Sequence, residues 1–507
     1  MKKIRNTSII VLALMLSLSA CNKDYLDTTP SDQIDFSDAF SSIANARSAL
    51  NGTYRLLYIQ YSSQSEDGQG SMMINLDFMG EDVVHSALGT SYFRNAYKWI
   101  DHRSVASGLT TFAYRFPYRV ISSANLVIDN VDLINGNINE KNGIKGEAFA
   151  LRAWSYFQLV QLFGIRYDAT TVPNTQLGVP IFLHFSTQPQ ARATVEEVYS
   201  QINNDLDSAI NRLSNANSRA IKSHIDLSVA KGIKARVALT MQDYLKAAQY
   251  AAEARANYTL MTNPEYTQGF TDMGLPGQGE WMWGARQLAD QLPAYGSFYA
   301  YMSANFNSAH TRPNPKLINS TLYNALSATD IRKKLWWDGT TADAVNFKGI
   351  INSATFLPEP TQVKKKYQHR KYVVKDPGVS AGDIPFMRAA EMYLIEAEAY
   401  ARLNRMTDAF NAIKILATNR DPLFSKTASN LTLDDIMVQR RAELWGEGFR
   451  FLDLKRTNMA LSRANSGATS TLATVGVSST VPAGDVRWQF MIPRREIEAN
   501  PFIIQNQ

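Results

Sequence analysis

One cysteine stands in 507 residues, at position 21. That scarcity rules out internal disulfides, so stability has to come from buried apolar surface. The six histidines, His85, His102, His184, His224, His310 and His369, are scattered without H-E-x-x-H or H-x-H spacing. With thiolates also missing, nothing predicts a metal or cofactor. The G-Q-G fragments at Gly68–Gly70 and Gly277–Gly279 lack a phosphate-loop context and read as turns. After the first twenty residues no stretch is long and apolar enough to span a bilayer. Excess charge is missing too. The formal +6 of the whole chain falls by Lys2, Lys3 and Arg5 to +3 once residues 1–20 are set aside. A nucleic-acid partner calls for a basic stripe. The run Lys364-Lys365-Lys366 with His369, Arg370 and Lys371 is the one candidate, and it reads as a solvated face.

What is present begins with a leader. Lys2, Lys3 and Arg5 precede the apolar run Ile9–Leu18, and Leu18-Ser19-Ala20-Cys21 has the form of a lipobox. Residues 1–20 therefore read as a signal peptide and Cys21 as the site of lipidation. Acyl chains contribute about 0.8 kcal/mol per buried methylene, enough in number to hold a protein on a membrane without a transmembrane helix. Residues 21–35 read as the lipidated N-terminus and a polar tether.

Helical periodicity begins near Phe36, with Ala39, Ile43, Ala46 and Leu50 spaced four, three and four apart. Residues 61–107 lose it; they are rich in Ser, Gly, Asn and Asp, with a short apolar patch and the aromatics Tyr92, Phe93, Tyr97 and Trp99. So long a non-periodic insertion in a helical chain points to function. Helices are predicted over Leu109–Asn130, Lys145–Phe163 and Ala193–Leu213, the last with a Thr194/Glu197 capping box. A hairpin follows at Leu227–Ala256, turning at Gln242-Asp243, and a second at Arg388–Ala417, turning after Asn404. In both turns an apolar residue precedes an alanine by three positions, as in tetratricopeptide helix pairs, which stack into a shared core. In the second hairpin Ala390, Leu394, Ala397 and Ala401 form the buried face. Thr432 then caps a helix expected to run to Arg456, with Arg440–Glu443, Glu447–Arg450 and Asp453–Arg456 each three apart. Because every carboxylate there has a cation within one turn, we read a structural network rather than an active site.

Three segments, R-A-A-E-M-Y-L-I-E-A-E-A from Arg388, R-R-A-E-L-W-G-E-G-F-R-F-L-D-L-K-R from Arg440, and the ending M-I-P-R-R-E-I-E-A-N-P-F-I-I-Q-N-Q, together resemble the SusD/RagB family of outer-membrane nutrient-binding lipoproteins. The resemblance implies a mainly α fold, a degenerate tetratricopeptide-type scaffold carrying a loop-rich half with a few short strands. It divides the chain into an N-terminal helical region, 36–257, and a C-terminal region, 258–507, containing the helical hairpin 384–456. It also implies a cell-surface protein on the outer membrane that hands ligand to a SusC-like TonB-dependent transporter.

Residues 258–384 turn to proline, glycine and aromatics. Glu280–Gly284 alternates as a strand, and Trp281 and Trp283 on one face read as core. Tyr295 and Tyr299, in an irregular glycine-flanked stretch, read as surface candidates. Of Trp336 and Trp337, at least one is expected to be buried. Such a density of aromatics suits pyranose rings, whose C–H faces stack on planar side chains with little rotamer entropy to lose. The family resemblance places the ligand site where loops of the early insertion meet the middle of the chain; carried over, it implies Asp77, Asp82, Trp99, Tyr295 and Tyr299, with Trp336 in addition. Three functions stay open on sequence: non-catalytic capture of oligosaccharides, capture of oligopeptides by the same architecture as in the RagB branch, and a lipid-anchored hydrolase.

Overall fold

A computed structural model describes residues 39–85, 92–273, 279–292, 295–308, 310, 311, 313–340, 365–467 and 479–507. The leader, Cys21 and the tether lie outside the described residues. The helix Ile43–Arg55 (α1) is followed by Gly68–Met79 (α2), Gly108–Asn130 (α3), Ile138–Phe163 (α4), Val195–Leu213 (α5), Leu227–Thr240 (α6) and Tyr244–Arg255 (α7). After a long excursion come Ala389–Arg402 (α8) and Met406–Arg420 (α9). From α3 to α9 the helices form one ladder in which α8 packs on α7 although 133 residues separate them. The two predicted hairpins are α6–α7 and α8–α9. Both turn through a residue at positive φ, Gln242 at 64° and Asn404 at 58°. The capping box at Thr194 forms as expected. Ala390, Leu394, Ala397 and Ala401 meet Ala409, Ile413 and Leu416 in a buried cluster, so the sequence periodicity correctly marked this interface.

The excursion is fastened by two short antiparallel pairings. Strand Val83–His85 (β1) pairs with Lys316–Ile318 (β3), and Trp281–Ala285 (β2) pairs with Ile384–Arg388 (β4). The first ties the early insertion to the middle of the chain; the second ties the middle to the start of α8. Trp281 and Trp283 are fully buried, as the strand reading expected, with Trp283 edge-on to Trp154 and Phe386.

Four local expectations fail. The insertion contains α2, every residue of which is buried, and its Gly68–Gly70 starts that helix rather than a turn. A helix surrounded on all sides has no polar face and hence no periodicity to read. The helix from Thr432 stops at Glu443 (Leu433–Glu443, α10) and restarts at Arg450–Arg456 (α11). Between them Gly446 and Gly448 take φ of 79° and 84°, which a helix cannot hold. Of the three predicted charge pairs only Asp453–Arg456 forms, at 2.8 Å. Arg440 turns instead to Asp453, Glu447 to Lys371 and Arg388, and Arg450 to Glu81. The second half of the basic run is not a solvated face either: His369, Arg370 and Lys371 are buried, drawn in by bridges from Gln368 to Leu317 and from His369 to Trp336, while Lys365 is half-buried, Lys366 is exposed and Lys364 lies outside the described residues.

Candidate functional site

The β1–β3 pairing brings together aromatics that are far apart in sequence. Tyr92, just beyond β1, has its ring 4.8 Å from that of His310 and 5.5 Å from that of Tyr301. Tyr301 lies 4.9 Å from His310 and meets Phe93 edge-on at 4.9 Å. Tyr92 and His310 are half-buried, while Tyr301 is 2% exposed. Phe93 reaches its place through φ of 60°, unusual for a bulky residue and a local strain held by the surrounding packing. The Tyr92 hydroxyl donates to Gln64 Oε1 at 3.0 Å. The Tyr301 hydroxyl is buried without a hydrogen bond, and burial drives its pKa up, so it stays a neutral phenol. Burial, then the charge of Lys316, lowers the His310 pKa, leaving a neutral imidazole with one donor and one acceptor nitrogen. Tyr295 is 50% exposed with its ring 6.4 Å from Phe306. Half-exposed rings with an imidazole and an amide at the edge can stack on an apolar ring face and bond its rim hydroxyls.

Five of the six residues implied from sequence are not placed to meet a ligand from solution. Asp77 is buried in α2 and accepts from the Gly448 amide at 2.8 Å. Asp82 is clamped by Arg441, 2.5 Å away, and its carbonyl accepts from Trp445 Nε1. Trp99 is 4% exposed, donates to the Met79 carbonyl at 2.8 Å and stands edge-on to Trp488. Tyr299 is fully buried, with its hydroxyl on the carbonyls of Phe270 and Asp383. Trp336 is fully buried against Trp445, while Trp337 is half-buried. Tyr295 alone of the six is exposed. The reason is common to all five: an anchoring aromatic or acid in an irregular loop looks the same in sequence whether the loop lies on the surface or is folded over. Tyr92 and His310 were missed because only the strand pairing joins them.

Two hollows, of about 370 and 410 Å³, share no lining residue with this cluster; one is lined by Trp488, Lys455 and the C-terminal residues, the other by Tyr114, Tyr118, Phe182 and Pro493. Among the described residues no three His, Cys, Asp or Glu side chains are grouped to hold a metal ion. No described helix is long and apolar enough to cross a membrane.

Comparison with known proteins gives the family of this helical ladder and its loop-rich half. Residues 24–239 match a family model described as "Starch-binding associating with outer membrane", and residues 242–507 match that of the SusD family. The chain belongs to the SusD family. SusD-like protein P2 of Formosa agariphila is 24% identical over 490 residues, covering 90% of this chain and 91% of that protein. A SusD-like carbohydrate binding protein from Bacteroides vulgatus superposes with a TM-score of 0.75 at 26% identity, covering 92% of this chain and 98% of that one. A surface glycan-binding protein A from Bacteroides thetaiotaomicron, solved with laminarihexaose, shares the fold with a TM-score of 0.67 at 17% identity, over 91% of this chain and 99% of that one.

Proposed function

We propose that this protein captures oligosaccharides at the cell surface without chemically altering them and passes them to a SusC-like TonB-dependent transporter. The observation that carries the reading is the cluster of Tyr92, Tyr301 and His310, half-open, apolar on its faces and polar at its rim, in a chain of the SusD family. In this reading Cys21 carries the lipid that holds the body on the outer membrane, and transport energy comes from the partner. Capture rather than hydrolysis fits the carboxylates that cluster in sequence. Burial alone raises the pKa of Glu443, Glu447 and Asp453, but facing arginines and Lys371 overcome it and hold all three below the ordinary range. A glycosidase needs one carboxyl raised to serve as acid, and the carboxyls that burial does raise strongly, Asp67, Asp77 and Asp383, are enclosed rather than open to a sugar.

The test is a binding screen of the full chain, solubilised in detergent, against plant, host and microbial glycans beside a panel of oligopeptides, with product analysis of every hit. A glycan that binds and is recovered intact is the expected result. Recovery of cleaved sugar, or binding of peptides with no glycan bound, overturns the reading.

A further inference from the structure

The hollow of about 410 Å³ differs from the one by Trp488 in having half-open rings on its wall. The other has Trp488 as its one aromatic, and that ring is 4% exposed. A volume of this size lies within the roughly 300–1,000 Å³ of small-molecule sites. One wall is a face of α3, where Arg115, Tyr118, Arg119 and Ser122 recur at i, i+3, i+4 and i+7. Phe182 supplies a second wall and is held there by its backbone, its amide donating to the Tyr156 hydroxyl at 2.6 Å and its carbonyl accepting from Asn125 Nδ2 at 3.0 Å. The rings of Tyr118 and Phe182 meet edge-on at 5.9 Å, and both are half-buried. The Tyr118 hydroxyl donates to the Pro180 carbonyl at 2.8 Å, which fixes that ring in place. Exposed Arg119 and Arg495 stand at the rim with half-buried Glu496, whose charge is felt by Tyr114 and Tyr118. Apolar walls with donors and an acceptor at the rim suit a ring that carries hydroxyls round its edge.

This hollow adjoins the aromatic cluster through one loop, residues 61–66. On the hollow's side Arg115 donates to Ser62 Oγ at 2.9 Å and to Glu66 Oε2 at 3.1 Å, and the guanidinium groups of Arg115 and Arg119 lie 5.4 and 5.1 Å from the centre of the Tyr61 ring. On the cluster's side Tyr92 donates to Gln64 Oε1 at 3.0 Å. Ser62 and Gln64 are two residues apart, a backbone distance of at most about 7 Å. The rim of the hollow and the edge of the cluster are therefore each one hydrogen bond from the same short stretch of chain. Two contacts held this close act together: binding at the first keeps the rest of a ligand chain at high local concentration by the second, and the combined affinity exceeds either alone.

We propose that one glycan chain occupies both places at once, crossing the loop at 61–66 with its rings against Tyr92 and His310 on one side and against Tyr118 and Phe182 in the hollow on the other. The protein then selects long chains over short ones. This rests on the glycan reading above and narrows its substrate class to chains of several sugar units.

The experiment is titration calorimetry of the full chain in detergent with laminari-, malto-, xylo-, manno- and galacturono-oligosaccharides, each as a trisaccharide and as a chain of about ten units. In whichever series binds, the long chain is expected to be about tenfold or more tighter than the trisaccharide, the lower end of what joined contacts give. Phe182→Ala removes a ring of the hollow while the backbone bonds of residue 182 remain, and Arg495→Gln changes an exposed group at the rim. Each is expected to bring the long chain severalfold down toward the trisaccharide, with melting temperature followed in parallel, whereas Tyr92→Ala weakens both lengths. Equal affinity for the two lengths overturns the proposal. So does a gain with length that survives both Phe182→Ala and Arg495→Gln. In either case binding of the trisaccharide leaves glycan capture standing; if no series binds at either length, both readings fall.

Discussion

Arg388 Nη1 and Glu443 Oε1 stand 3.0 Å apart, and neither side chain has any exposed surface. Arg388 closes β4 and Glu443 closes α10, so this contact joins the middle of the chain to the C-terminal helices. It is one link in a larger network. Glu443 also meets Arg420 at 3.1 Å and Arg332 at 3.5 Å, while Arg388 reaches Glu280 and, at 2.6 Å, Glu447. Charges taken this far from water are tolerated only with partners on nearly every donor and acceptor.

Removing one partner therefore strands the others. Glu443→Gln leaves three guanidinium groups sharing one carboxylate fewer, and we expect it to lower unfolding free energy by about 3–5 kcal/mol, the usual penalty for breaking a buried pair. Urea denaturation followed by circular dichroism measures it. A loss below about 1 kcal/mol, the scale of a surface pair, would mean the network contributes little.

Acid should attack the same region first. Burial raises the Asp453 carboxyl, but Arg440 and Arg456 outweigh it and hold the group at about 2. An unfolded aspartate titrates near about 3.9. The folded form thus binds fewer protons than the unfolded one between those values, and stability present above pH ~4 drains away as pH falls toward ~2. In Asp453→Asn that part of the acid limb is missing. Denaturation midpoints across this range should fall less steeply in the variant than in the wild type, against a lower plateau at pH 7.

Asp67 behaves in the opposite sense. It is fully buried, with its Oδ1 unpaired and Gln287 Nε2 3.4 Å from Oδ2, and burial raises it to about 7. Here the folded protein holds a proton that the unfolded chain has already released, so stability is greatest below pH ~4 and declines as pH rises to ~7. Asp67→Asn, which cannot ionise, removes this decline. We expect the variant to gain on the wild type steadily between pH 5 and pH 8 in thermal melts; parallel curves for the two proteins would show that Asp67 is not the group titrating.

How much of this was legible in the sequence depended on whether a residue's partners were local. The α8–α9 hairpin was readable because Ala390, Leu394, Ala397 and Ala401 repeat at helical spacing, and the capping box at Thr194 lies within four residues. The break at Gly446 and Gly448 was not read, since glycines inside an otherwise charged and apolar helical pattern look tolerable until their φ values are known. The Glu447–Arg450 pair failed for the same reason, since once the helix stops the two no longer share a face; Arg440 and Glu443 both stay in α10 but are taken by distant partners, Asp453 for one and Arg388 with Arg420 for the other. Of the six site residues implied from sequence, all but Tyr295 are buried, because an aromatic or acid in an irregular loop reads the same whether the loop is open or folded over. Tyr92 and His310 are 218 positions apart, and their meeting follows from β1 lying against β3, a pairing of three residues that no periodicity announces.

The distinction between site and core can be measured directly. Tyr92→Ala removes the half-exposed ring that faces both His310 and Tyr301 and should weaken glycan binding by about tenfold or more, roughly 1.4 kcal/mol, with little change in melting temperature. His310→Ala should do the same. Tyr299→Phe is the control, since its hydroxyl is buried on the carbonyls of Phe270 and Asp383 and the ring stays in place. Leaving two buried carbonyls short of a donor should reduce stability by about 1–3 kcal/mol while affinity holds. If instead Tyr299→Phe weakens binding and Tyr92→Ala does not, ligand enters on the inner side of the middle segment, and the cluster at Tyr92 is a seam that holds β1 to β3 rather than a site.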